Sequence, residues 1–145
     1  MLVDARRLIT EYATSLPFRL DFQHFDDEIG DFPGRYAPPA GAVVVAYVDD
    51  GAAGVAALRP LEPPDVCEMK RLYVRSGFQG LHIGGTLIAA LIDEARARAY
   101  RRMRLDTHAP TMASAIALYR RFGFVEIARP ANAPADLLFM ELALA

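Results

Sequence analysis

The sequence has no tryptophan, a single cysteine (Cys67) and only three histidines. One cysteine cannot close an intramolecular disulfide, and with no second nearby it excludes a thiolate metal cage or a redox pair. His24, His82 and His108 are too scattered to read as a metal cluster, so no metal is expected. No apolar run approaches the roughly 20 residues that span a bilayer. The opening Met-Leu-Val-Asp-Ala-Arg-Arg lacks a signal peptide's apolar core, which makes a cytoplasmic protein without a membrane partner the expectation. An excess of basic charge is missing too, since 16 Lys and Arg stand against 18 Asp and Glu for a net charge of −2. Nucleic-acid binding needs a dominant positive field, so none is expected. The local cluster Arg96, Arg98, Arg101, Arg102 and Arg104 reads as a solvated helix end.

What the chain does have is 53% apolar and 23% charged residues over 145 positions, the balance of one soluble α/β domain (residues 1–145). Apolar positions at Val3, Leu8, Ile9, Tyr12 and Leu16 recur at helical spacing up to Pro17, and a second helix is expected over about Asp26 to Phe32. The stretch from Pro33 to Pro39 reads as a loop. Ala42 to Val48 and Gly54 to Leu58 form an expected antiparallel hairpin through Asp49-Asp50-Gly51. In the next strand, Val66 to Val74, plain alternation puts Glu68, Lys70, Leu72 and Val74 on one face and Cys67, Met69, Arg71 and Tyr73 on the other. A helix from about Gly84 to Ala99 carries the stripe Ile83, Leu87, Ile88, Leu91, Ile92 and Ala95. Met103 to Thr107 returns as a strand, Pro110 to Phe122 is a third helix ended by Gly123, and Phe124 to Ala128 and Leu137 to Leu144 close the fold. The expected architecture is α/β in the α+β sense: a central mixed, mostly antiparallel sheet flanked by helices. Leu137 to Leu144 comes late enough to form an edge, which leaves a homodimer open.

Between the third strand and the long helix lies Gln79-Gly80-Leu81-His82-Ile83-Gly84-Gly85-Thr86. Free loop amides and the positive end of the helix dipole converge there, the elements of an anion site. By itself such a run is equally a structural turn or a phosphate cradle. No Gly-Lys-Ser/Thr follows, and the spacing misses Gly-x-Gly-x-x-Gly, so an ATP-type P-loop and a dinucleotide fold are both disfavoured.

The run Glu68-Met-Lys-Arg-Leu-Tyr-Val-Arg-Ser-Gly-Phe-Gln-Gly-Leu-His-Ile-Gly-Gly-Thr-Leu87 resembles the central motif of the GNAT (Gcn5-related N-acetyltransferase) family. Ala115-Ile-Ala-Leu-Tyr-Arg-Arg-Phe-Gly-Phe124 resembles that family's second signature. The resemblance covers about Ala42 to Leu144 and implies an acetyl-CoA-binding core there, with residues 1–40 as a helical acceptor side. It implies an acetyl-CoA-dependent N-acetyltransferase acting on a primary amine of a small molecule or peptide, with acetyl-CoA as co-substrate. A non-catalytic acyl-CoA-binding regulatory module on the same fold is the alternative. The pyrophosphate would meet the loop Gln79, Gly80, Leu81, His82, Ile83, Gly84, Gly85 and Thr86, and the pantetheine arm would run along Leu72, Tyr73 and Val74. His82 stands where the family usually has glycine. Met112 stands where many relatives carry asparagine, and Ser114 is the nearby substitute.

For the chemistry, the resemblance assigns Tyr119 as the acid for the leaving thiolate and Glu68 as a general base. A backbone amide of Leu72 or Val74 would polarise the thioester carbonyl. Cys67, placed opposite Glu68, reads as a buried thiol rather than an acyl carrier, and His108 as a loop histidine. Asp21, Asp26, Asp27, Glu28 and Asp31 outnumber Arg19 and Arg35 on the expected acceptor side, either as a rim for a cationic amine or as a solvated face. Arg35 and Tyr36 are candidate acceptor contacts.

Overall fold

A computed structural model describes residues 1–15, 27–78 and 80–144. Among them the elements run α1 (Leu2–Ser15), a 3-10 turn (Gly34–Tyr36), β1 (Ala42–Val48), β2 (Gly51–Pro60), β3 (Val66–Val74), α2 (Ile83–Ala97), β4 (Arg102–His108), α3 (Ala113–Arg121), β5 (Val125–Ile127) and β6 (Leu137–Ala143). Residues 27–30 are also helical. The six strands form one sheet in the order β1-β2-β3-β4-β6-β5, antiparallel throughout except at β3–β4.

Each face of the sheet is covered because each helix has one apolar stripe to bury. On one face Ala5, Leu8 and Ile9 of α1 pack with Val55, Val43 and Val45. On the other, Leu87, Ile88, Leu91 and Ala95 of α2 join Leu58, Met103, Leu105 and Met140, with Leu118 and Tyr119 of α3 against the same core. Each fully buried Leu, Ile, Val or Met among them stabilises the fold by roughly 1.5–3 kcal/mol.

Three details depart from the sequence expectation. The C-terminal strand is not an edge: β6 lies between β4 and β5 and pairs with β4 along its whole length, leaving the three-residue β5 outermost. Burying Met140, with Leu138 and Leu142 beside it, rewards that interior position. In the first hairpin the left-handed residue is Asp49 (φ 55°), while Gly51 already belongs to β2.

The third departure shapes the site. β2 and β3 shift register between Val55↔Tyr73 and Ala57↔Lys70, and Arg71 takes a left-handed φ of 64°. This bulge inserts one residue into β3 and reverses its alternation. Before it, Cys67 and Met69 face the α2 core; after it, Leu72 and Val74 do, and Tyr73 turns to α1. Glu68 and Leu72 therefore lie on opposite faces of the sheet rather than sharing one.

Candidate active site

β3 and β4 pair only at Val66↔Arg102, Cys67↔Met103 and Glu68↔Arg104. Beyond Glu68 they diverge, and a cavity of about 600 Å³ opens between Met69–Leu72 and Leu105–His108. It lies at the carboxyl ends of the one parallel pair in the sheet, the place where strand ends leave an open crevice in α/β folds. Main-chain groups of β3 that point toward β4 here lack a strand partner and must find another, which adds main-chain polarity to an opening whose walls mix apolar and charged side chains.

The walls come from both layers. Leu72, Met112, Ala115 and Tyr119 line one side of the gap, and Tyr12, Arg71 and Asp106 line the other. Tyr119 is buried, and its ring packs on Phe124 at a centroid distance of 5.8 Å. Burial raises the proton affinity of its hydroxyl above the ordinary phenol, and Tyr12 and Asp106 add to the effect. Tyr12 is likewise pushed up by burial, opposed by Arg71 and reinforced by Asp106. Tyr119 thus senses Tyr12, from a helix on the opposite face of the sheet, and both sense Asp106 across the gap.

At the rim, His108 is held from both ring nitrogens, Nδ1 2.8 Å from Thr111 Oγ1 and Nε2 2.9 Å from Asp136 Oδ2. On the α1 side, Arg71 donates from Nε to Glu28 Oε2 at 2.9 Å and from Nη2 to Glu28 Oε1 at 3.0 Å, and Tyr36 donates to the same carboxylate at 3.1 Å.

The glycine-rich segment after β3 turns sharply into α2. Gly80 has φ 86°, and His82, the N-cap of α2, has φ 61°. Both are left-handed, which glycine adopts freely and histidine only at a cost. Thr86 donates to His82 O from its amide at 3.1 Å and from Oγ1 at 3.0 Å. The amides of the first turn, ahead of Thr86, point out of the helix end as donors for an anion. Gly84 serves a different need: a Cβ there would lie 3.3 Å from Leu118 Cδ2, so its absence lets α2 approach α3 closely.

The expected site residues separate into groups. Leu72 and Tyr119 line the cavity, and Val74 shares the Leu72 face. Tyr73 can reach that side only through its main chain, because its hydroxyl donates to Glu11 on α1 at 2.6 Å. Glu68 is buried, accepts from Arg59 Nε at 2.8 Å and Nη2 at 2.7 Å, and is not among the lining residues. Leu81 is exposed, the Ile83 side chain is in the core, and Ser114 is exposed while Met112 and Ala115 of the same region line the cavity. Arg35 donates to Pro60 O at 2.6 Å and Tyr36 is buried, so neither lines the cavity. Gln79, and Arg19, Asp21 and Asp26 of the acidic stretch, fall outside the described residues.

Cys67 is fully buried, donates weakly to Arg102 O at 3.7 Å, and burial pushes its thiol up to about 12. Tyr12 and Asp106 belong to no sequence motif, and Arg71 lies within the Glu68–Leu87 run without a role assigned to it there. The one signal that could have singled out Asp106 is its place near the end of a strand, just before the second signature. Among the described residues there is no cluster of metal ligands, and no helix is long and apolar enough to cross a membrane.

Comparison with known proteins bears on this geometry. The profile of the acetyltransferase (GNAT) family matches residues 5–124. An uncharacterized N-acetyltransferase of Schizosaccharomyces pombe is 40% identical over 124 residues, covering 85% of this chain and 76% of its own. The ribosomal-protein-alanine N-acetyltransferase of Brucella melitensis superposes with a TM-score of 0.70 at 27% identity, over 99% of this chain and 96% of its own. An acetyltransferase-like protein of Salmonella typhimurium, solved with its cofactor acetyl-CoA, gives a TM-score of 0.74 at 22% identity over 100% and 91% of the two chains. At that identity the likeness concerns the fold.

Proposed function

The chain belongs to the acetyltransferase (GNAT) family, and from that premise we propose that it transfers the acetyl group of acetyl-CoA to a primary amine of a small molecule or peptide. The observation that carries the reading is the gap between β3 and β4, which opens the sheet from one face to the other with Tyr119 on one wall and Asp106 on the opposite one. Such an opening lets a thioester and an amine meet from opposite sides, so both are held at once and the reaction gains from proximity.

In this reading the first-turn amides of α2 receive the pyrophosphate. The unpaired main-chain edge of β3 at Leu72 to Val74 holds the pantetheine arm, and an amide there donates to the thioester carbonyl as charge grows on its oxygen. Tyr119 gives its phenolic proton to the departing sulfur. Its raised proton affinity keeps it protonated at neutral pH, as an acid must be. Cys67 takes no part: a buried thiol pushed up to about 12 supplies almost no thiolate at neutral pH.

The test is release of free thiol from acetyl-CoA over a panel of amines, amino acids, polyamines and peptides, with thermal stabilisation by acetyl-CoA measured in parallel. Turnover with at least one amine supports the reading. Stabilisation without turnover on any member favours a non-catalytic acyl-CoA-binding module, which the residues His82 and Met112 would suit. Absence of stabilisation sinks both.

A further inference from the structure

Among the described residues two carboxylates line the cavity, Asp106 and Asp136, and they differ in how they are engaged. Asp136 holds His108. Asp106 has no hydrogen bond or ion pair among the described residues. Other described carboxylates nearby are taken: Glu28 by Arg71, Glu68 by Arg59, Glu141 by Arg104, and Glu11 by Tyr73 and Arg75. Strand alternation fixes where Asp106 points. Its neighbours Leu105 and Thr107 are buried, and Leu105 joins the α2 core, which turns Asp106 to the α1 face. There it shares the cavity wall with Arg71 and Lys70 of β3, His108 of β4, Tyr12 of α1 and, across the gap, Tyr119 of α3.

A carboxylate that lines a cavity with no hydrogen bond or ion pair to the described residues is placed to receive a cationic group from a ligand. The other candidate base in the wall, His108, has both ring nitrogens engaged. Glu68 lies outside the cavity and is neutralised by Arg59.

Resting on the acetyltransferase reading above, we infer that Asp106 receives the ammonium group of the acceptor and removes its proton, so that the acceptors are aliphatic amines, charged in solution, rather than neutral arylamines or alcohols. The Asp106 carboxylate takes one proton from the ammonium and leaves a nitrogen lone pair. The carbon–nitrogen bond forms at the thioester carbonyl as the carbon–sulfur bond breaks. The thiolate takes the Tyr119 proton, the second proton on nitrogen passes to the tyrosinate, and Asp106 returns its proton to water. One amide, one thiol and one solvent proton result.

The experiment uses the full chain, acetyl-CoA and a thiol-release readout with benzylamine, L-alaninamide and spermidine, and with aniline as the neutral arylamine. Asp106→Asn, close in shape and uncharged, is expected to lower kcat/KM for the amine used best by about 100-fold or more. Its thermal stabilisation by acetyl-CoA should match wild type. The deficit should shrink as pH rises toward the amine's own pKa, because free amine then needs no base; a merely structural lesion would not recover in this way. Asp106→Glu should restore part of the rate, and wild type should discriminate against aniline.

Turnover by Asp106→Asn within about threefold of wild type, or loss confined to Glu68→Gln, overturns the assignment and leaves the acetyltransferase reading intact. If Asp106→Asn does not fold, wild type acetylating aniline as well as benzylamine overturns it instead. A wild type stabilised by acetyl-CoA but inactive on every amine overturns the enzymatic reading itself, and this inference with it.

Discussion

Arg71 and Glu28 meet in a two-pronged pair, Nε to Oε2 at 2.9 Å and Nη2 to Oε1 at 3.0 Å, with both side chains largely shielded from water. The arginine is the bulge residue of β3 and the glutamate belongs to the short helical segment at residues 27–30. The pair therefore clamps the kink that opens the cavity to the part of the chain on the α1 side. Removing Glu28 takes both prongs away from a largely buried guanidinium, which is the costly way to break such a pair.

Glu28→Ala is accordingly expected to destabilise the protein by about 3 kcal/mol, the lower end for a buried pair. Urea denaturation measures this directly. The same variant should weaken acetyl-CoA stabilisation, because a relaxed bulge returns Leu72 toward the wrong face. Unchanged unfolding and unchanged acetyl-CoA response would show that the bulge holds without the clamp.

His82 occupies a left-handed position at the start of α2. The strain is about 1–2 kcal/mol for a residue with a side chain, offset in a glycine by about 0.5–1 kcal/mol of extra unfolded-state freedom. His82→Gly should thus be neutral to mildly stabilising. His82→Val, β-branched and worst suited to positive φ, should lose about 1 kcal/mol or more and loosen acetyl-CoA binding. Melting curves with and without acetyl-CoA separate the two, and a His82→Val protein as stable as wild type would contradict the geometry.

Tyr119→Phe should cut kcat by about 10²–10⁴-fold while acetyl-CoA stabilisation persists. Because the folded pKa of Tyr119 is raised, its ionisation cannot create a basic limb in the rate profile below about pH 10, the ordinary tyrosine value. A wild-type rate that falls between pH 8 and 9 while binding is intact would assign the acid elsewhere.

The same sign governs stability in alkali. Burial and the Glu28 carboxylate push Tyr36 up to about 12. A raised tyrosine pKa means that the folded state keeps a proton the unfolded chain has lost, so this stabilisation is complete below pH 10 and disappears as pH climbs to about 12. Tyr36→Phe should flatten the fall in stability over that window. An unaltered slope in equilibrium unfolding from pH 9.5 to 11.5 would count against it.

Cys67→Ala should leave the acetyl transfer rate within about twofold and cost only the stability expected of a small cavity, about 1 kcal/mol. Intact protein incubated with acetyl-CoA should carry no acetyl group on this residue by mass spectrometry, and the folded thiol should resist alkylating reagents. Detection of an acetyl-cysteine would reverse this view.

The sequence made the repetitive parts of this molecule readable. The α2 stripe from Ile83 to Ala95 and the strands Ala42–Val48 and Val66–Val74 follow from spacing alone, since each buries one face by a fixed period. The bulge at Arg71 was not readable. Period-two alternation assumes an uninterrupted strand, and nothing in Lys70-Arg71-Leu72 marks an inserted residue, so alternation alone puts Glu68 on the Leu72 side. The interior position of β6 was hidden for another reason: which strand is an edge depends on pairing partners far away in the chain. Of the candidate site, the glycine turn and Tyr119 are visible as motifs. Asp106 and Tyr12 became relevant only when the gap between β3 and β4 brought α1 and α3 to the same opening.

That gap also has a mechanical meaning. β1–β2–β3 and β4–β6–β5 are two antiparallel ribbons riveted to each other by three residue pairs at one end, like the legs of a drawing compass. Whatever wedges between the free ends has a long lever on the angle between them and a short hinge to work against. Occupancy of the mouth should therefore be felt at the rivet, as slower amide exchange at Arg102 and Met103, which do not line the opening themselves.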